Sequence, residues 1–129
     1  RVGFRKFDAL DWKVWINSYL AHYYIKNKNF ERGKKIIQEI EEIMVKSDLW
    51  IEHDNPDEIP FIDLDHTLYI NYHLSIAYKG LKNDTKSINH LNRAYENMNK
   101  IGDRMNDKDY QMYLGKLICK KILDSKNNI

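Results

Sequence analysis

From Phe7 to Tyr24 the apolar side chains fall at helical spacing, with Trp12, Trp15, Ile16, Tyr19, Leu20, Tyr23 and Tyr24 three or four residues apart. Asp8 or Asp11 is placed to cap the start of this helix. A polar break, "KNKN" from Lys26 to Asn29, ends it. The period returns from Phe30 to Met44, where Ile36, Ile37, Ile40 and Ile43 share one face and Glu39, Glu41 and Glu42 lie outside it. Two such segments joined by a short polar break predict a helical hairpin.

Between Ser47 and Thr67 the pattern lapses. This stretch holds both prolines, Pro56 and Pro60, and the acids Asp48, Glu52, Asp54, Asp57, Glu58, Asp63 and Asp65. No Lys or Arg occurs between Lys46 and Lys79. Missing backbone donors and dense negative charge oppose a regular helix, so a mobile loop is expected, with one helical turn around Leu49 to Ile51. A second hairpin is predicted beyond it: Leu68 to Tyr78, then Thr85 to Asn99, with "KGLKND" between them and Asp84 as cap. After "IGDRMND" a last helix runs from Tyr110 to Leu123, and "DSKNNI" is expected to fray.

The two hairpins repeat each other. Asn17, Leu20, Ala21, Tyr24, Gly33, Ile37 and Ile40 are followed, each 54 positions later, by Asn71, Leu74, Ser75, Tyr78, Ser87, Leu91 and Ala94. The pattern resembles the tetratricopeptide repeat, a helix pair of about 34 residues, with roughly 20 more inserted between the units. Leu and Tyr on the first helix fill the space between the helices, and a small residue on the second lets the backbones approach. The resemblance covers about Val14 to Lys121. It divides a single domain into units at about 14–47 and 68–101, an acidic insertion at 48–67 and a capping helix at about 108–123. Leu114, Gly115 and Ile118 look like the first helix of a third unit, with Lys120 and Lys121 keeping its outer side polar. The family's early Trp is Asn17 and Asn71 here, Ile40 is bulkier than its usual Ala, and the closing Pro is missing. The fold expected is all-α: antiparallel helical hairpins stacked as a short tetratricopeptide-like solenoid with a C-terminal capping helix.

In that family the first helices line a concave groove that binds peptides or proteins. The resemblance implies groove positions at Trp15, Asn17, Ser18, His22 and Lys26 in unit one. Unit two supplies Tyr69, Asn71, Tyr72, Ile76 and Lys79, and the last helix Met112, Lys116 and Lys120. An Asn amide both donates and accepts, so two at equivalent positions suit a peptide backbone. Lys26, Lys79 and Lys120 would form a cationic edge for an acidic group or a free carboxylate. The Asn-before-Leu variant also resembles the repeats of the intracellular peptide-pheromone receptors of Gram-positive bacteria, in which such a domain senses a short peptide. The expected function is therefore a non-enzymatic module that binds a peptide or protein segment, as in the sensor domain of a regulator. The alternative is a domain that packs within a larger protein or dimerises it. Exposure of Trp15, Tyr69 and Tyr72 on one concave surface favours binding; burial under the acidic insertion favours packing.

Composition narrows the remaining choices. The 129 residues suit one domain, and 43% apolar with 31% charged residues is ordinary for a water-exposed globular chain. A formal net charge of +2, with Lys116, Lys120 and Lys121 as the one helical basic cluster, does not predict a nucleic-acid partner. No apolar run nears the roughly 20 residues of a membrane span, and no signal peptide is evident. The lone Cys119 has no internal disulfide partner, which points to a reducing, cytoplasmic setting. It lies between Lys116 and Lys120 but has no evident His partner, so a packed thiol is expected rather than a nucleophile. "DLDH" (Asp63 to His66) with His53 is the nearest approach to a metal set, read as solvated loop acids. Asp54, Pro56 and Glu58 lack the Gly of a calcium loop. No phosphate-binding Gly loop occurs, and no cofactor is expected. The first residue is Arg1, which suggests a piece of a longer protein.

Overall fold

The structure, a computed structural model, describes residues 9–46 and 61–128. The expected loop at 47–60 lies outside them. Six helices make up the described residues: α1 (Ala9–Lys26), α2 (Phe30–Lys46), α3 (Phe61–Gly80), α4 (Asp84–Gly102), α5 (Asp107–Leu114) and α6 (Leu117–Asn127). Helices α1 and α2 pack as one hairpin and α3 and α4 as a second, with α1 lying against α3 and α6 against α4. The all-α class with packed hairpins is as expected.

The two inter-helix turns are built alike. Lys28 and Lys82, again 54 positions apart, both take the left-handed conformation, with φ of 65° and 62°. In the first turn the Lys28 and Asn29 amides donate to the Ile25 and Tyr24 carbonyls, at 3.0 and 2.8 Å. In the second, Lys82 and Asn83 donate to Lys79 and Tyr78 at 3.0 and 2.9 Å. Each Asn then caps the following helix through its side-chain oxygen, Asn29 for the Arg32 amide (3.4 Å) and Asn83 for Lys86 (3.3 Å). One residue thus closes one helix and opens the next. The cap of α4 is Asn83, not Asp84.

Small residues let the helices approach. Gly33 and Gly80 both face Ile25, so close that an added Cβ would fall 2.4 and 2.3 Å from its side-chain carbons. One side chain therefore keys α1 to both α2 and α3. At the position matching Gly33, the Ser87 hydroxyl donates to the Ser75 carbonyl on α3 at 2.7 Å. Two cores result, and α3 serves both. Ile70, Leu74, Ala77 and Tyr78 join Val14, Ala21, Ile25, Ile37 and Ile40; Leu64, Leu68 and Tyr72 join Leu91, Ala94, Met98, Ile101, Ile118 and Ile122.

Several boundaries differ from expectation. Asp11 is a buried member of the first turn of α1 rather than its cap. Helix α3 starts at Phe61, so residues 61–67 belong to it and not to the insertion. The single helix expected at about 108–123 is two. The Gly115 and Lys116 amides turn back to the Met112 and Tyr113 carbonyls, and Lys116 is extended (φ −64°, ψ 145°) before α6 begins. Of the residues expected to fray, 124–127 continue α6, which runs to Asn127, held by Lys126 Nζ on Asn92 Oδ1 at 2.8 Å and over the Tyr95 ring; Ile129 lies outside the described residues.

Equivalent tyrosines have different surroundings. Tyr78 is buried, stacks on His90 at 5.5 Å and donates its hydroxyl to Glu41 Oε1 of α2 at 2.6 Å. Burial first, then the bonded Glu41 carboxylate, push its hydroxyl pKa up. Tyr24, expected to be packed in the same way, is only half-buried and lies under the Arg32 guanidinium at 5.1 Å. The difference is positional: Tyr78 has the α2 of the first hairpin beside it.

Candidate functional site

Helices α1 and α3 and the start of α6 enclose a groove of about 770 Å³. Trp15, Tyr19, His22, Tyr23 and Lys26 come from α1, Tyr69, Tyr72 and His73 from α3, and Lys116, Leu117, Ile118 and Lys121 from the α5–α6 junction and α6. These positions recur at three or four residues along each helix, so they share its groove-facing side. At one end the rings cluster: Trp15 stacks on Trp12 at 5.0 Å and meets His66 at 4.6 Å and Tyr69 at 5.9 Å. The lysines Lys26, Lys116 and Lys121 line the groove as well, and Lys116 sits over the Tyr113 ring.

Midway, His22 of α1 meets His73 of α3 with the two Nδ1 atoms 3.0 Å apart. Two nitrogens at that distance hold one hydrogen between them, so one ring donates and the other accepts. Tyr72 lies edge-on to both rings, and Tyr19 edge-on to His73. Burial lowers the pKa of both histidines, His73 to about 4; Lys26 and Lys121 push His22 in the same direction, and His22 and Lys121 do so for His73. At neutral pH the pair is uncharged. Burial raises the hydroxyl pKa of Tyr69, with Asp65 adding to it, and of Tyr72. Both stay protonated and available as donors.

Of the nine ligand-binding candidates, the groove brings together Trp15, His22, Lys26, Tyr69, Tyr72 and Lys116. Three lie elsewhere. Asn71 is 1% exposed: its amide donates to the Thr67 carbonyl at 2.8 Å, and its oxygen takes a hydrogen bond from His90 Nδ1 at 2.9 Å. It is an internal strut between α3 and α4, not a peptide-facing amide. Asn17 is half-buried and outside the groove lining, with its amide nitrogen buried and without a hydrogen-bond partner. The position matching His90 in unit one is Ile36, so Asn17 has no imidazole opposite it. Lys79 lines a separate hollow of about 260 Å³ with Ile76, Asp84 and Ile88. Among the other positions the resemblance implied, Ser18 is buried and bonds the Trp15 carbonyl, and Met112 and Lys120 are exposed outside the groove.

Tyr19, Tyr23, Leu117 and Lys121 were not foreseen. Helical spacing carried a signal for Tyr19 and Tyr23, one turn before His22 and Lys26 respectively. His73, like His22 and His90 a helical histidine without metal-ligand spacing, reads as a packing or groove residue. Nothing local marked its pairing with His22, because they meet diagonally: its repeat counterpart is Tyr19, not His22. Elsewhere, Cys119 is fully buried, with burial raising its pKa and the Tyr113 hydroxyl beside it, so it is a packed thiol. His66 is buried against Trp12 and Trp15 rather than in a solvated loop. Among the described residues no three His, Cys, Asp or Glu side chains gather as metal ligands, and no helix is long and apolar enough to cross a membrane.

No family model, curated protein or solved structure matches this chain.

Proposed function

We propose that this chain is a non-enzymatic helical module that holds a peptide or protein segment in the α1–α3–α6 groove. The observation that carries the reading is the groove itself: about 770 Å³, walled by the exposed Tyr19 and Tyr23, the part-exposed Trp15 and Tyr69 and the buried Tyr72, and edged by three lysines. That volume lies within the roughly 300–1,000 Å³ of ligand sites. Aromatic walls offer large contact area at low entropy cost, and lysines favour an acidic or carboxylate-bearing segment. The tetratricopeptide resemblance, including its likeness to peptide-pheromone sensors, supports the same reading, with a regulator as the larger context. The lone buried thiol suits a cytoplasmic setting. A random peptide library presented to the protein tests the reading. Binders should lose at least tenfold in affinity with Leu117→Glu, a groove residue 66% exposed, and keep it with Gln38→Glu on the outside of α2. Binders indifferent to Leu117→Glu, or none at all, would contradict it.

A second reading, self-association, is favoured by one observation. Trp12, Ile16, Tyr19 and Tyr23 form a stripe along α1 and are 45%, 58%, 56% and 53% exposed. A contiguous apolar stripe of that kind often marks an interface. Light scattering across a concentration series decides it: a dimer dissociated by Ile16→Glu supports this reading, and a concentration-independent monomer rejects it.

A further inference from the structure

We infer that the groove's ligand carries an anion next to the His22–His73 pair, and that its capture takes up a proton there. The inference rests on the groove being a binding site. It starts from the 3.0 Å Nδ1–Nδ1 contact, which puts two imidazoles edge to edge in the groove wall. The ring that donates through Nδ1 keeps a free lone pair on Nε2. A proton added at that Nε2 leaves the bridging hydrogen bond in place and makes it charge-assisted, the donor now being an imidazolium. A second proton would leave two N–H groups facing each other and break the bridge. The pair therefore accepts one proton without rearrangement.

The surrounding charges oppose that proton in the empty groove. Lys26 on α1 and Lys121 on α6 face the pair, Lys116 lies at the α5–α6 junction, and Tyr19, Tyr69 and Tyr72 contribute hydroxyls. Positive potential and desolvation keep both rings neutral at neutral pH. A bound anion reverses the balance. An opposite charge within about 4–6 Å favours the imidazolium by roughly ten- to a thousandfold, and the same lysines that repelled the proton attract the anion. A cation is disfavoured by the same lysines, so the two histidines are a proton site rather than half of a metal site. The linkage has a definite sign: lower pH strengthens anion binding between about pH 7.5 and 5.5, by at most about tenfold per pH unit for one proton.

Two dyes with one ring skeleton separate the terms. 8-Anilinonaphthalene-1-sulfonate carries an anion that does not titrate in this range; N-phenyl-1-naphthylamine lacks it. Fluorescence titrations at pH 7.5, 6.5 and 5.5 should show the sulfonate binding roughly three- to tenfold tighter at pH 5.5 than at 7.5, and the neutral dye unchanged. Calorimetry of the unsubstituted protein at pH 6, in buffers of different ionisation enthalpy, should show net proton uptake with the sulfonate alone. His22→Gln and His73→Gln, checked for folding by circular dichroism, should flatten the pH dependence. Both dyes binding in the groove with no proton uptake would overturn the inference and leave the groove standing. Neither dye binding, or binding insensitive to Leu117→Glu, would overturn both.

Discussion

Asn71 and Asn17 show how identical residues at equivalent positions diverge. The sequence marks both as amides able to donate and accept, and a peptide backbone or a neighbouring imidazole satisfies that description equally well. Spacing cannot choose between them; His90, 19 residues on and across a turn, does. Replacing Asn71 by Ala strands the buried His90 N–H, which costs about 1–3 kcal/mol beyond the lost bond. Urea melts should therefore show Asn71→Ala lower by about 2–3 kcal/mol and Asn17→Ala by under about 1 kcal/mol. Equal, small losses would contradict the strut.

The part-buried His73 and the buried His90 also set an acid response. His73 and His90 titrate at about 4, against about 6.5 in an unfolded chain, chiefly because burial disfavours their charged forms. Between those values the unfolded chain binds more protons than the folded one. Stability is thus full above pH 6.5 and falls as pH drops toward 4, by up to about 1.4 kcal/mol per pH unit for each histidine. Denaturant midpoints measured at pH 7, 6 and 5 should decline in that order. A flat series would mean that the two rings are not held neutral.

At the scale of elements, hairpins and turns were legible where a local rule acts. Ile37, Ile40, Leu91 and Ala94 fall on the buried faces their period predicts. The KNKN and KGLKND breaks fall where the chain turns. Both turns put a lysine in the left-handed conformation, where a Cβ is strained and glycine is not. Lys82→Gly should therefore raise stability by about 0.5–1 kcal/mol, the relief being partly offset by glycine's greater unfolded-state freedom. A loss in a thermal melt would show that the Lys82 side chain holds the turn. Less legible was the α5–α6 break. Gly115 sits at helical spacing between Leu114 and Ile118, and periodicity alone reads through it. The backbone instead closes α5 there through the Gly115 and Lys116 amides. Helix α3 began earlier than its apolar period announced, because Asp63 and Asp65 read as loop acids yet also suit a helix's first turns, where the dipole welcomes negative charge.

At the scale of the molecule, the groove is where sequence legibility fades. Six of its positions follow from repeat register, but its shape depends on how α1 crosses α3 and on α6 closing one end after the break at Gly115. That crossing brings His22 to His73 rather than to its repeat equivalent, and it turns Lys121, expected on an outer polar cap, into the groove. The role proposed for this groove is to hold a peptide. Backbone and side-chain chemical-shift mapping with the tightest library binder tests it most directly. The largest changes are expected at Trp15, Tyr19, His22, Tyr69, Lys116 and Lys121, with Asn71 and Lys79 quiet. Shifts confined to the outer face of α2, or centred on the hollow around Lys79 and Ile88, would contradict it.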